Sequence, residues 1–324
     1  MVRILVIIAA VSALVLMAAY LWIFNMPDGE RSTARSQPPD TRSLQRHIHM
    51  LANSIGERHP GKIENLNHAA DYIAHQFTQA GLRVSDHVYN AQGQRFRNVI
   101  AEVSGENDEL IVIGAHYDSI PGSPAANDNG SGVAALLQLA ALVGRENFKR
   151  SIRYIAFANE ERPYNDTDAM GSLVYARFLN QSRTNVVAMI SLETIGYYTD
   201  APGSQYYPPP LSWFYPDQGN FVAFIGNLRS RRLVRTAIAS FRSHARIASE
   251  GIAAPELLRD IRRSDQASFW QFGYPALMVT DTAPYRYPYY HSPEDTFEKI
   301  DFPRLAQVVE GMVFVIRDLA IPRP

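Results

Sequence analysis

Seven histidine and acidic residues have settings in which they could hold a metal ion or move a proton: His116, Asp118, Asp128, Glu160, Glu161, Glu193 and His291. No cysteine occurs in the 324 residues, so disulfides, thiolate zinc sites, iron–sulfur clusters and cysteine nucleophiles are excluded. Any bound metal must be held by His, Asp and Glu. His116 and Asp118 are two residues apart, so on extended chain both side chains point the same way and the carboxylate could orient the imidazole. Asp128 lies in the tight turn Asn127-Asp128-Asn129-Gly130 ahead of an apolar helical pattern. Glu160 and Glu161 are neighbours and cannot share one face of regular structure, which suits them to two different roles. His291 sits in Tyr290-His291-Ser292-Pro293-Glu294-Asp295-Thr296. Each piece alone has a plainer reading: a hydrogen-bonded structural histidine, a helix N-cap at Asp128, a solvated loop at Glu160-Glu161. His47, His49, His59, His68, His75, His87 and His244 keep that plainer reading.

The elements that must position these groups are strands and helices in alternation. Strand-like runs cover residues 82–89, 98–103, 110–115, 152–158, 186–192 and 276–280, several of them continuously apolar, as in strands buried on both faces. Helical spacing covers residues 41–55, 64–80, 131–143, 172–180, 230–244 and 303–318, and Gly81 is a natural helix stop. The pattern predicts an α/β protein, an α/β/α sandwich around a mixed, mostly parallel sheet, in one domain over residues 41–324. His116 follows the strand LIVIGA, Glu160 and Glu161 follow SIRYIAFAN, and Glu193 ends VVAMISL. All three places are C-terminal strand ends, the edge at which open α/β sheets bind ligands.

Together, GAHYDS, PAANDNGSGVAAL, FANEE with GSLVYA, LETIGYY and YYHSPEDT resemble, in the same order over residues 45–320, the co-catalytic zinc aminopeptidases of the aminopeptidase S and aminopeptidase Y kind, metallopeptidase family twenty-eight. The resemblance implies two zinc ions per chain. His116 and Glu193 would hold one, Glu161 and His291 the other, and Asp128 would bridge them. Glu160 would be the general base acting on a metal-bound hydroxide, with Asp118 behind His116. The implied activity is removal of N-terminal residues from peptides. Glutaminyl cyclases and non-catalytic receptor ectodomains share this fold and stand as alternatives. A serine hydrolase has no support, since no G-x-S-x-G occurs. Three positions depart from the resemblance: Glu193 where Asp is common, Asn127 where a second Asp is frequent, and Gln266 where many relatives carry His. Two aromatic stretches, Tyr197–Asp217 and Tyr285–Tyr290, could be packed loops or the wall of a pocket for an apolar side chain.

The overall composition, 46% hydrophobic and 19% charged, fits a globular chain with a real core, and 31 basic against 32 acidic residues give no basic excess for a nucleic-acid partner. The N-terminus stands apart. Ile4–Phe24 is uncharged and, as a helix, would span about 31 Å, the thickness of a bilayer core. A cleaved signal peptide is the competing reading, but its apolar core would be shorter and no convincing small-x-small cleavage site follows the run, so residues 1–26 are expected to be a transmembrane anchor, and the polar, Pro-rich residues 27–40 a linker. Arg3 before the run is outnumbered by Arg31, Arg35, Arg42 and Arg46 after it, which favours a cytoplasmic body, whereas the resemblance implies an extracytoplasmic one. The expectation adopted is a single-pass membrane protein with its peptidase domain outside the cytoplasm.

Overall fold

The computed structural model describes residues 23–30, 32, 40–209 and 211–321. All but the last two residues of the apolar run at 4–24 lie outside them, and among the described residues no helix is long and apolar enough to cross a membrane.

Eight strands form one sheet in the order β1-β2-β4-β3-β5-β8-β6-β7. They are β1 (Arg83–Ala91), β2 (Gln94–Val103), β3 (Glu109–His116), β4 (Ser151–Phe157), β5 (Asn185–Glu193), β6 (Phe221–Asn227), β7 (Ala248–Ala254) and β8 (Ala276–Thr280). The four central strands β4, β3, β5 and β8 run parallel, and β2 and β6 pair antiparallel to β4 and β8 on either side. β6 and β7 were not anticipated. β6 is an apolar run that follows an irregular, Pro-rich stretch, and β7 (ASEGIAA) has few of the β-branched and aromatic residues that mark strands.

Alternation along the strands separates two apolar layers. Ile111, Ile113, Ala188, Ile190 and Leu192 face a large core with helices α1 (Thr41–Ile48), α2 (Ile63–Gln79), α3 (Gly130–Val143), α5 (Arg231–His244) and α8 (Phe302–Ala320). Leu110, Val112 and Met189 face a smaller one, with α4 (Gly171–Gln181) and α6 (Gln266–Trp270). A short helix α7 (Ala283–Arg286) follows β8. The expected helix over 41–55 is α-helical only to Ile48 and continues as a π-helix to Ile55. Of the expected linker, Pro27 and Ser32 lie along α5, where Pro27 O accepts from Arg242 Nη1 at 3.0 Å and Ser32 N donates to Ser243 O at 3.0 Å, while Asp40 caps α1.

Register brings the chemistry to one edge. Gly114 of β3 pairs with Ser191 of β5, so His116 and Glu193, each two residues on, end adjacent strands on the same face. The start of α3 is pressed against β5: a Cβ on Gly132 would stand 2.4 Å from Leu192 O and 2.2 Å from Asn129 Oδ1. In an open helix Gly→Ala gains about 1 kcal/mol, but here the clash wins. Gly132→Ala is expected to lower stability by about 1–3 kcal/mol in denaturant melts, and unchanged or higher stability would show that the contact is loose.

Candidate metal centre

Three strand ends and two loops converge on a cluster of carboxylates and imidazoles that is buried except at His291. His116 Nε2 lies 3.4 Å from Asp128 Oδ1 and 3.3 Å from Glu193 Oε2. His291 Nε2 lies 2.9 Å from Asp128 Oδ2 and 3.3 Å from Glu161 Oε1. Two triads therefore exist, His116–Asp128–Glu193 and Asp128–Glu161–His291, each with one donor atom per residue within 4.8 Å of the others. Asp128 is common to both. Glu160 Oε2 is 4.0 Å from His116 Nε2 and belongs to neither triad. None of the other seven histidines enters such a cluster among the described residues; His47, for example, bonds Tyr72 Oη at 2.7 Å, and His244 stacks on Phe314.

The cluster is held from behind by groups that bond backbone. Asp118 stands 3.5 Å from His116 Nδ1, behind the ring, and accepts from the amides of Glu160 at 3.1 Å and Glu161 at 3.0 Å. Its carboxylate thereby sets the chain that presents both glutamates. Asp295 does the same for the bridging loop, accepting from Asn127 N at 2.8 Å and Asp128 N at 3.0 Å while Tyr287 Oη donates at 2.7 Å. Asn129, not Asp128, caps α3: its Oδ1 accepts from Gly132 N and Thr194 N, and its Nδ2 donates to Leu192 O. This frees Asp128 from the capping role considered for it. Ser264 Oγ donates to Glu193 Oε2 at 2.7 Å and fixes its long arm. Arg58 is fully buried and donates to the carbonyls of Leu51, Gly56, Tyr117, Pro124 and Ala125, tying down the loop between Asp118 and Asp128. Gln266 has no part in the cluster: it is buried in α6 with its Nε2 on Ile261 O.

Sequence reasoning did not single out Asp295, Asn129, Ser264 or Arg58 for these roles. Asp295 was within reach, four residues after His291 in the same motif. Arg58 had no signal, since its partners are all main-chain carbonyls. Backbone conformation carries another mark: Asn159, Thr194 and His291 have φ of 62°, 41° and 55°, in the left-handed region, beside or at the clustered side chains.

The donor set fits divalent cations. His116 Nδ1 and Nε2, Asp128 Oδ2 and Glu161 Oε1 are buried and have no hydrogen bond of good geometry. Buried polar atoms without partners are costly, and three of these four, His116 Nε2, Asp128 Oδ2 and Glu161 Oε1, face the shared space where a bound cation would satisfy them, while His116 Nδ1 faces Asp118. Titration points the same way. Burial pushes Glu160 well above the usual carboxylate range, with Glu161 and Glu193 adding to it against the pull of His116. Burial and Asp128 raise Glu161 to about 7. For His291, burial alone would lower the imidazole, but the carboxylates of Asp128 and Glu161 outweigh it and raise it to about 10. Without a metal, protons do the work of positive charge.

An apolar cavity of about 200 Å³ adjoins the cluster, with Glu193 and Tyr290 in its lining beside Ile252, Leu258 and Met278. Both aromatic stretches contribute to it, through Tyr207–Pro209, Leu211 and Tyr215 on one side and Tyr285 and Tyr290 on the other. Tyr206 N donates to Tyr285 O, and Arg286 joins Gln205 Oε1 to Phe221 O, so the two stretches form one wall. Tyr290 stacks on His291 at 3.8 Å between ring centroids.

These shifts predict how the metal-free protein melts. Glu161, near 4.5 when unfolded and about 7 when folded, holds its proton better in the native state, so its contribution is complete below pH 4.5 and is lost as pH rises to 7. His291, near 6.5 unfolded and about 10 folded, contributes in the same sense, with loss between those values. The melting temperature of chelator-treated protein should fall from pH 5 to pH 9, and zinc should restore it most at the alkaline end, where the ligands are free of protons. A metal-free melting temperature that rises through this range would contradict the charge balance.

The family model described as Peptidase family M28 matches residues 98–316. Uncharacterized protein YfbL of Escherichia coli (strain K12) is 37% identical over 304 residues, covering 91% of each chain. Aminopeptidase YwaD of Bacillus subtilis (strain 168) is 28% identical over 219 residues, 66% of this chain and 42% of its own. Among solved structures, BSAP, a zinc aminopeptidase from Bacillus subtilis, superposes with a TM-score of 0.71 at 16% identity, over 89% of this chain and 97% of that one. A glutaminyl cyclase of Porphyromonas gingivalis superposes with a TM-score of 0.66 at 18% identity, over 88% and 100%. At these identities the two structures speak for the fold, and the α/β sandwich with its mixed sheet is theirs too. The match over residues 98–316 spans all five residues of the two triads around Asp128: the chain belongs to peptidase family M28.

Proposed function

We propose that this protein is a membrane-anchored aminopeptidase that removes apolar N-terminal residues from peptides with two zinc ions. The observation that carries the reading is the pair of triads sharing Asp128, with Glu160 beside them and outside both. His116 and Glu193 would hold one ion, Glu161 and His291 the other. When bound, the metals supply a water that ionises near neutral pH and positive charge at the attacked carbonyl. The protein's own groups do the rest. Glu160 has a raised proton affinity and its Oε1 accepts from Asn165 Nδ2 at 3.2 Å, which keeps the carboxyl turned to one orientation while Oε2 faces the cluster. It is suited to take a proton from the attacking water and pass it to the leaving amine. Asp118 fixes the adjacent amides and so the relative placement of base and ligand. The apolar cavity beside Glu193 would receive the side chain of the N-terminal residue and exclude water around the scissile bond. Ile4–Phe24 would fix the domain to a membrane, with the peptidase side outside the cytoplasm.

A glutaminyl cyclase built on the same fold would close a ring from its substrate's own amide. Leucyl amides and N-terminal glutamine peptides, assayed side by side for free amino acid and for ring closure, distinguish the two. Glu160→Gln should keep its metal and lose about two to four orders of magnitude in turnover of the leucyl substrate, with substrate binding little changed. Glu161→Gln should lose metal. Metal analysis beside turnover checks both, and the reverse pattern would show that base and ligand are interchanged. Full turnover in Glu160→Gln with metal bound would remove the general-base mechanism.

A further inference from the structure

Where the apolar N-terminal run reaches the body, the surface of the body is itself apolar. Phe24 packs on Phe214 at 5.0 Å and on Tyr215 at 5.8 Å between ring centroids. Phe214 belongs to the turn that begins Leu211–Trp213, and Trp213 at its tip is 80% exposed. Leu211 and Tyr215 line the cavity together with Leu258, whose neighbour Leu257 is 90% exposed. Tyr206, from the same aromatic stretch, is exposed as well. A bare tryptophan and a bare leucine, on loops whose neighbouring residues line one cavity, are costly in water and are the residue types that settle into the interfacial zone of a bilayer.

Charge around this patch is mixed: Arg229 and Arg232 are exposed, and so are Asp28, Asp217 and Glu256. Asn25 O accepts from Arg235 of α5, so the chain enters beside the first turns of that helix, where Arg229 and Arg232 are exposed. Glu256, on the Leu257 turn, is exposed and accepts from the neutral amide of Asn227 at 2.8 Å. Exposed arginines beside an apolar face add attraction to anionic headgroups.

We infer that the surface formed by Trp213, Phe214 and Leu257, flanked by Arg229 and Arg232, lies in the headgroup region of the bilayer that receives Ile4–Phe24. The domain is then not tethered at a distance but seated on the membrane, held by the packing of Phe24 and Met26 and by Arg235 and Arg242 on residues 25–27. The outer wall of the apolar cavity shares its loop with Trp213, so peptides would reach the site along the membrane surface. This inference rests on the proposed membrane anchor and is independent of the proposed peptidase chemistry.

The absence of cysteine makes the test direct, because an introduced cysteine is the sole labelling site. The full chain is reconstituted into vesicles of phosphatidylethanolamine and phosphatidylglycerol as W213C, L257C and S85C, each carrying a nitroxide. Ser85 is exposed on β1, at the opposite edge of the sheet. Labels at 213 and 257 should relax more with oxygen than with a water-soluble nickel chelate, and the label at 85 should do the reverse. Nickel access at 213 and 257 equal to that at 85, in chains that float with the vesicles, would overturn the seating while leaving the anchor intact. Chains that do not float would overturn both. Quenching of tryptophan fluorescence by brominated lipid, which should drop in W213F, gives the same reading without a label. Turnover of a soluble peptide by each labelled chain relative to the unlabelled one reports on folding, and its absence in all of them bears on the peptidase reading and not on the seating.

Discussion

The structure depends on one carboxylate shared between two imidazoles. Asp128 stands within 3.4 Å of His116 Nε2 and 2.9 Å of His291 Nε2, and Glu160, Glu161 and Glu193 crowd the same buried space. Four buried carboxylates and the buried imidazole of His116, with the partly exposed His291 beside them, are not a stable set of charges by themselves. They must either hold protons, as the raised affinities of Glu160, Glu161 and His291 show, or share cations. Everything behind the cluster acts to prevent its relaxation. Asp118 and Asp295 bond amides of the ligand-bearing segments, Asn129 joins the start of α3 to the end of β5, and Arg58 fastens the loop between them.

That frame explains why the site lies where it does. Parallel neighbours β4, β3 and β5 end together, so residues far apart in sequence arrive at one edge without any long-range search by their side chains. The cavity is built differently, from irregular chain: the stretches around Tyr207 and Tyr285 are joined through Arg286 and one main-chain hydrogen bond, and they carry the apolar surface that would meet the substrate. A rigid edge for the chemistry and loops for selectivity is a division common to open α/β sheets.

The central strands and the clustered residues were legible because both leave strong local signals. LIVIGAH and VVAMISLE are continuous apolar runs that end in a ligand type, and burial on both faces leaves them little freedom to be anything else. Asp128 stood out by its turn, and His291 by its motif. The supports were mostly silent. Arg58 bonds only carbonyls, which any sequence provides, and Ser264 is one serine among many until Glu193 is placed 2.7 Å away. β7 was missed since its small residues carry no strand signal, and the cap that Asn129 provides was considered only at its neighbour Asp128, as the plainer alternative to a ligand role. The docking of Pro27 and Ser32 along α5 could not be read from a polar, Pro-rich segment whose partners lie more than 200 positions away.

The measurement that bears most directly on the shared carboxylate is the number and position of metal ions in the zinc-loaded protein. Anomalous diffraction at the zinc edge, with elemental analysis of the same crystals, should show two ions per chain, one against His116 and Glu193 and one against Glu161 and His291, with Asp128 touching both. A single ion on His116, Asp128 and Glu193, with His291 and Glu161 bonded only to each other at full zinc loading, would contradict the account.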